Sequence, residues 1–271
     1  FARRHGLGKG RAVLVLGDSQ VISERLCLPK ASGRILRQMA AREMERRREE
    51  EGGLTVQLTE DPLAGEKWNG GEKPEEEGVR RLVWAADEGR LKEGIEILRE
   101  EGISCESVLA APDCLCLLAS GGSQEYVLTA GLFENEIRLY LGRKGRCLKR
   151  RRSPFRAGVL FREQMDELVF EELAEQTQAI LEGERAVIRL LPGGFPDGLR
   201  AAGALSRLTG LTCQVEERLA ELARWEEETT AGPETVLLQA AALAWEDRRS
   251  MRPVNFFAGM KGRRGSLAGI K

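Results

Sequence analysis

Between Glu125 and Arg152 the chain reads EYVLTAGLFENEIRLYLGRKGRCLKRRR, and this run constrains the fold more than any other. It predicts three consecutive strands, Tyr126–Gly131, Glu136–Leu141 and Arg146–Arg152, joined through Leu132–Asn135 and Gly142–Gly145. Ile137, Leu139 and Leu141 alternate with Glu136, Arg138 and Tyr140, the period of a strand with one apolar face. A helical stretch, a short strand and a glycine pair follow. That order belongs to an α/β lobe opening on a β-meander. Where such a lobe handles nucleotide, its first turn combines small residues with an acid. The small residues let backbone N–H groups approach a phosphate, and the acid holds Mg²⁺. Here the turn reads Thr129-Ala130-Gly131-Leu132-Phe133-Glu134-Asn135. The acid is missing and Leu132-Phe133 are bulky, so the architecture is kept and the chemistry is not.

The 271 residues suffice for two lobes and a sizeable core. Charged residues make up 31% of them and nearly cancel, with a formal net charge of −1, which argues against nucleic-acid binding through bulk charge. Six cysteines are scattered without any CxxC, and Cys114-x-Cys116 is too close for an ordinary zinc pair. They read as buried free thiols of a reducing compartment, and no metal site is expected. No apolar run reaches the length of a membrane span. The first residue is Phe1, so the sequence reads as a piece of a longer protein.

In chain order, Ala12–Leu16 reads as a strand buried on both faces. Gly17-Asp18-Ser19 then turns the chain into a second strand, Gln20–Leu28. A glycine-flanked Asp18 and Ser19 could meet a phosphate, but a plain turn fits better because strand, not helix, follows. Ser32–Glu51 predicts an amphipathic helix, Leu54–Leu58 a strand, and acidic Asp61–Gly78 a surface loop. Val79–Ala86 is a buried strand. Asp87 caps a helix, Glu88–Glu101, that Gly102 ends. Ile103–Leu109 predicts a strand and Ala111–Ala119 a short helix. After the meander come a helix Phe161–Leu181, a strand Ala186–Leu191 running into Pro192-Gly193-Gly194, a helix Pro196–Leu208, a strand Thr212–Val215 and a helix Val236–Trp245. The basic tail Arg248–Lys271 is broken by an apolar patch, Val254–Phe257.

This order carries a resemblance. AVLVLGDSQVISERLCLP resembles the strand-turn-strand of the PilM/GspL family, actin-like assembly proteins of type IV pilus and type II secretion machines. RLVWAADEGRLKEGIEILREEGI resembles its next strand and helix. The meander resembles its second-lobe meander, with Thr129-Ala130-Gly131 where the family has aspartate, hydrophobe, glycine. LLPGGFPDGLRAAGALSRLTG is similar to its adenosine-side glycine loop and helix. RPVNFFAGMKGRR is similar to the Asn-Leu-Leu motif that precedes the membrane span in GspL and begins PilN. The family's first hairpin, with its own phosphate loop, has no counterpart in this sequence.

The resemblance implies an α/β, two-lobed actin-like (ribonuclease H-like) fold with a small inserted subdomain. The first lobe would be residues 1–110 with 233–250, including an excursion at about 20–58. The second would be 111–232, and 251–271 a juxtamembrane tail. It implies a non-enzymatic scaffold at the cytoplasmic face of the bacterial inner membrane, docking a secretion or pilus assembly ATPase and coupling it to inner-membrane platform subunits. A homodimer is compatible with it; nucleic acid is not expected. The alternative is a PilM-like pilus protein that binds or hydrolyses ATP, the only reading that takes a cofactor. Thr129, Ala130, Gly131, Gly193 and Gly194 are the expected remnant of a nucleotide site. Arg162, Glu163, Glu167 and Glu171 mark a charged helix face for salt-sensitive docking of the motor. Val254, Asn255, Phe256 and Phe257 form a tail motif expected to lie extended in a groove, with the Asn255 amide satisfying backbone groups and at least one phenylalanine buried.

Overall fold

A computed structural model describes residues 10–48, 53–64, 78–120, 123–133, 136–154, 166–191, 197–216, 234–257 and 260. The chain divides into two compact units, and the divisions fall between Ala110 and Ala111 and between Pro253 and Val254.

The first unit contains two sheets. Strands β1 (Arg11–Leu16) and β5 (Ser104–Ala110) pair in parallel. Helix α2 (Glu88–Glu100) packs on both, and a Cβ added at Gly94 of α2 would come within 3.2 Å of Leu14 Cδ2. Asp87 accepts a hydrogen bond from the Arg90 N–H at the N-terminus of α2, the cap read from sequence. The second sheet holds β2 (Val21–Leu28), β3 (Leu54–Glu60) and β4 (Val79–Asp87), in the order β2-β4-β3, with β4 antiparallel to both neighbours. Helix α1 (Gly33–Arg48) lies over it, burying Leu36, Ala40 and Met44 against Leu26, Val56 and Val83. The inserted subdomain thus runs past the expected boundary at residue 58. Its central strand is β4, without which β2 and β3 would have no common partner.

Glu43 on α1 accepts hydrogen bonds from Arg46 and Arg47, the latter at 2.8 Å, and Arg47 reaches Glu24 of β2 at 3.1 Å. The Arg46 and Arg47 hydrogen bonds hold the Glu43 carboxyl down at about 2. The folded carboxylate therefore stays ionised where an unfolded one, near 4.5, takes up a proton. Its contribution is complete above pH 4.5 and is lost as pH falls through about 2. Acid-unfolding curves of Glu43→Gln and the parent should therefore converge at the acid end of that window and separate above it.

The second unit is built on a five-stranded sheet, β10-β9-β6-β7-β8. Its members are β6 (Tyr126–Phe133), β7 (Glu136–Arg143), β8 (Arg146–Pro154), β9 (Ala186–Leu190) and β10 (Cys213–Val215). The meander β6-β7-β8 is antiparallel, and β9 joins β6 in parallel. One face packs against α4 (Asp166–Leu181) and α5 (Gly198–Thr209), joining Leu128, Leu139, Ile188, Leu173 and Leu205 in one core. The other face is covered by α3 (Ala111–Ser120), all of whose residues are buried. A helix buried all round needs cover on both sides. That cover is the sheet on one side and α6 (Glu234–Glu246) on the other. The helix expected with the first lobe through residues 233–250 therefore belongs with α3 in the second unit. None of the six cysteines is joined in a disulfide.

Candidate functional site

Three places were singled out by sequence. At the first, expected from sequence to be the remnant of a nucleotide site, Thr129, Ala130 and Gly131 sit within β6, which runs on to Phe133, so the three are strand and not turn. They oppose Tyr140, Leu139 and Arg138 of β7, and the Leu191 N–H donates to the Ala130 carbonyl at 2.8 Å. The backbone is thus engaged in pairing on both edges as far as Ala130. Thr129 is fully buried. A Cβ at Gly131 would meet Phe133 Cε2 at 2.8 Å and Leu191 Cδ1 at 2.9 Å. A side chain here would push aside the Phe133 ring and the Leu191 methyl, so glycine serves close packing of apolar side chains. Across from it, the Arg138 guanidinium lies 4.0 Å over the Phe133 ring and pairs with Glu136, which Arg152 also holds at 2.8 Å. Burial pushes the Glu136 carboxyl upward, but the Arg152 and Arg138 hydrogen bonds outweigh it and leave the group below its ordinary range. Gly193 and Gly194 lie outside the described residues. Among the described residues no cluster of histidine, cysteine, aspartate or glutamate is arranged to hold a metal.

On the charged helix, α4 begins at Asp166; Arg162 and Glu163 lie outside the described residues, as does the Glu167 side chain. Glu171 and Glu175 are exposed, on the side of α4 away from Val169, Leu173 and Ile180.

The tail is the most completely built of the three. Val254 and Phe256 are buried, Phe256 to 0% exposure. Asn255 bridges antiparallel to Leu109 of β5. Its Oδ1 accepts from the Val108 N–H at 3.2 Å, and its Nδ2 donates to Ser107 Oγ at 2.9 Å. The amide oxygen thus satisfies a backbone group of β5, as expected from sequence, while the amide nitrogen meets a side-chain hydroxyl and not a backbone carbonyl. The backbone differs from the expectation, because Phe256 and Phe257 are helical and not extended. Asn255 Oδ1 also accepts from the Phe257 N–H at 3.0 Å, the bond of a helix N-cap. One side chain therefore docks the segment and starts the helical turn.

Just before the tail, the chain is fixed inside the second unit by residues the sequence reading did not single out. Asp113, fully buried in the first turn of α3, accepts from Arg146 Nη1 of β8 at 2.8 Å. Arg146 Nη2 donates to the Arg252 carbonyl at 3.0 Å. Arg252 ends the short helix α7 (Arg248–Met251) in left-handed conformation, φ 49°. The usable signal was a lone carboxylate in the apolar helix APDCLCLLAS, where an ionised group requires a buried partner.

No protein-family model matches the chain, and no curated protein matches it. Solved structures do. The PilM–PilN type IV pilus biogenesis complex matches with a TM-score of 0.59 and 20% identity over 86% of this chain and 79% of that one. The cytoplasmic domain of EpsL, an inner-membrane component of the type II secretion system of Vibrio cholerae, matches more weakly, with a TM-score of 0.41 and 15% identity over 73% of each chain. The likeness to the first establishes the fold: an α/β actin-like fold with an inserted subdomain. No helix among the described residues is long and apolar enough to cross a membrane.

Proposed function

We propose that the chain is a non-enzymatic scaffold of a GspL-like type II secretion platform. It docks the secretion ATPase at the cytoplasmic face of the bacterial inner membrane and couples it to membrane subunits. The observation that carries the non-enzymatic reading is the filled strand at Thr129–Gly131. Phosphoryl transfer needs metal and phosphate positioned together. Here a hydroxyl stands where the related pattern has a metal-binding acid, and Phe133 and Leu191 occupy the space beside Gly131. The tail supports the coupling role. The Arg252 carbonyl is held within the second unit, Asn255 is held within the first, and only Pro253 and Val254 separate them. A pull on the chain beyond Phe257 reaches folded structure without slack.

The second reading is a PilM-like pilus assembly protein that binds ATP, and the likeness to PilM favours it on the choice of machine. The test of docking is charge reversal at exposed Glu171, combined with Glu167→Lys. Capture of the cognate assembly ATPase at low salt should fall at least several-fold, and added salt should weaken the parent complex toward the variant. Undiminished capture at all salt concentrations would place the motor elsewhere.

A further inference from the structure

Helix α1 breaks a charge rule that α2 keeps. On α2, acids and bases are interleaved and pair one turn apart, Glu88 with Lys92 and Glu96 with Arg99. On α1 the acids stand in the C-terminal half and are engaged: Glu43 by Arg46 and Arg47, and Glu45 by the Leu54 N–H at 3.3 Å. Between Glu24 and Glu43 the chain has five cations and no acid. Four of them, Lys30, Arg34, Arg37 and Arg42, are exposed and make no ion pair or side-chain hydrogen bond among the described residues. Leu36, Ala40 and Met44 face the sheet, so the cations occupy the outer side of the helix, with Ile35 among them at 50% exposure. Arg34 and Arg37 also lie toward the positive end of the helix dipole, where cations are disfavoured and where the first turn carries no acid to offset them. A solvated face ordinarily mixes both signs. A run of like charge that opposes the dipole and has no partner within the unit breaks local rules in the way that functional surfaces do.

We propose that the outer face of α1 rests on an anionic bilayer surface, with its guanidinium and ammonium groups against lipid phosphates. The inference goes beyond the scaffold reading and rests on the inner-membrane placement made there. The composition of the face selects a bilayer over a protein. A protein interface draws its affinity from a buried centre of large apolar and aromatic side chains. Ile35 is the only large apolar side chain exposed on α1 among the described residues. A headgroup layer needs no such centre, because it rewards each nearby cation separately and modestly. Modest attraction is enough for a protein already tied to the membrane, since the tie holds the two surfaces at high effective concentration.

The test is co-sedimentation of the full chain with vesicles, without any ATPase. Vesicles containing phosphatidylglycerol should bind it at low salt, vesicles of phosphatidylcholine alone should not, and about 0.5 M salt should release it. Reversing Arg34→Glu, Arg37→Glu and Arg42→Glu together should lower partition onto the anionic vesicles about tenfold or more. The circular dichroism spectrum should stay unchanged, since the three side chains are exposed and acids suit this end of a helix. Arg34→Lys, Arg37→Lys and Arg42→Lys together should keep the binding, because a headgroup layer reads charge and not the guanidinium fork. Full binding by the charge-reversed chain would overturn the inference and assign the contact to the basic residues after Met260. Loss of binding in the lysine variant, or its abolition by inorganic phosphate at constant ionic strength, would also overturn it and point to a directional site for a single anion, such as an acidic peptide. So would a parent chain that ignores anionic vesicles. That last result would leave the capture experiment on Glu171 standing, and failure of capture would leave vesicle binding standing, so the two readings fail separately.

Discussion

Asp113→Ala is expected to lower the stability of the second unit by about 3–5 kcal/mol, the cost of breaking a buried ion pair from one side. The carboxylate is fully buried, while the Arg146 side chain retains 18% exposure. Removing Asp113 leaves the guanidinium only the Arg252 carbonyl among the contacts described above. Asp113 also bears on its neighbour. Burial pushes the Cys114 thiol well up, and the Asp113 charge adds to that effect, so the thiol stays protonated and inert. Urea unfolding measures the loss. A change below about 1 kcal/mol would show that the pair is no more than a surface ion pair in effect. Asp113→Ala combined with Arg146→Met should recover much of the loss, because a buried pair replaced by apolar groups of similar volume is often tolerated.

Phe256→Ala should undock the tail from the first unit. Truncating a fully buried phenylalanine costs about 3–5 kcal/mol, which covers both lost transfer and the cavity left behind. Because the segment is short, the loss should appear as local opening and not as global unfolding. Exchange of the Val108 amide, bonded to Asn255 Oδ1, should quicken by at least about a hundredfold if opening governs it. Thermolysin should cut near Val254 correspondingly faster, while the unfolding midpoint of the second unit stays unchanged. Asn255→Ala should have a smaller effect of the same kind, about 1–3 kcal/mol, since it leaves a buried N–H without its acceptor. Equal exchange and cleavage in Phe256→Ala and the parent would remove the physical basis for a taut connection.

Much of this was legible in sequence because the signals were local. The meander showed itself by period-2 alternation, and β6, β7 and β8 lie where Tyr126, Glu136 and Arg146 were expected to begin them. Asp87 and Gly102 marked the two ends of α2 as cap chemistry requires. The misassigned features depended on distant partners. β4 reads as a buried strand, but nothing in its own sequence says that β2 and β3 will flank it, so the subdomain boundary was set too early. Helix α6 is apolar, which demands burial without naming the surface; that surface is α3, buried on all sides. Asn255 was expected to dock an extended segment. Its competence as an N-cap was equally readable in its residue type, and the cap fixes the helical turn at Phe256. At Thr129 the sequence shows only that an acid is missing. The packing of Phe133 and Leu191 around Gly131 became visible only in three dimensions, because Leu191 comes from the end of a strand sixty residues away.

Isothermal titration with Mg-ATP, paired with a phosphate-release assay on the same preparation, tests the scaffold reading most directly. The prediction is no saturable heat and no release above the protein-free rate, since Thr129 supplies no metal-binding carboxylate and Gly131 is packed by Phe133 and Leu191. Micromolar affinity that disappears when Mg²⁺ is chelated, with or without turnover, would contradict it and leave the ATP-binding pilus reading in its place.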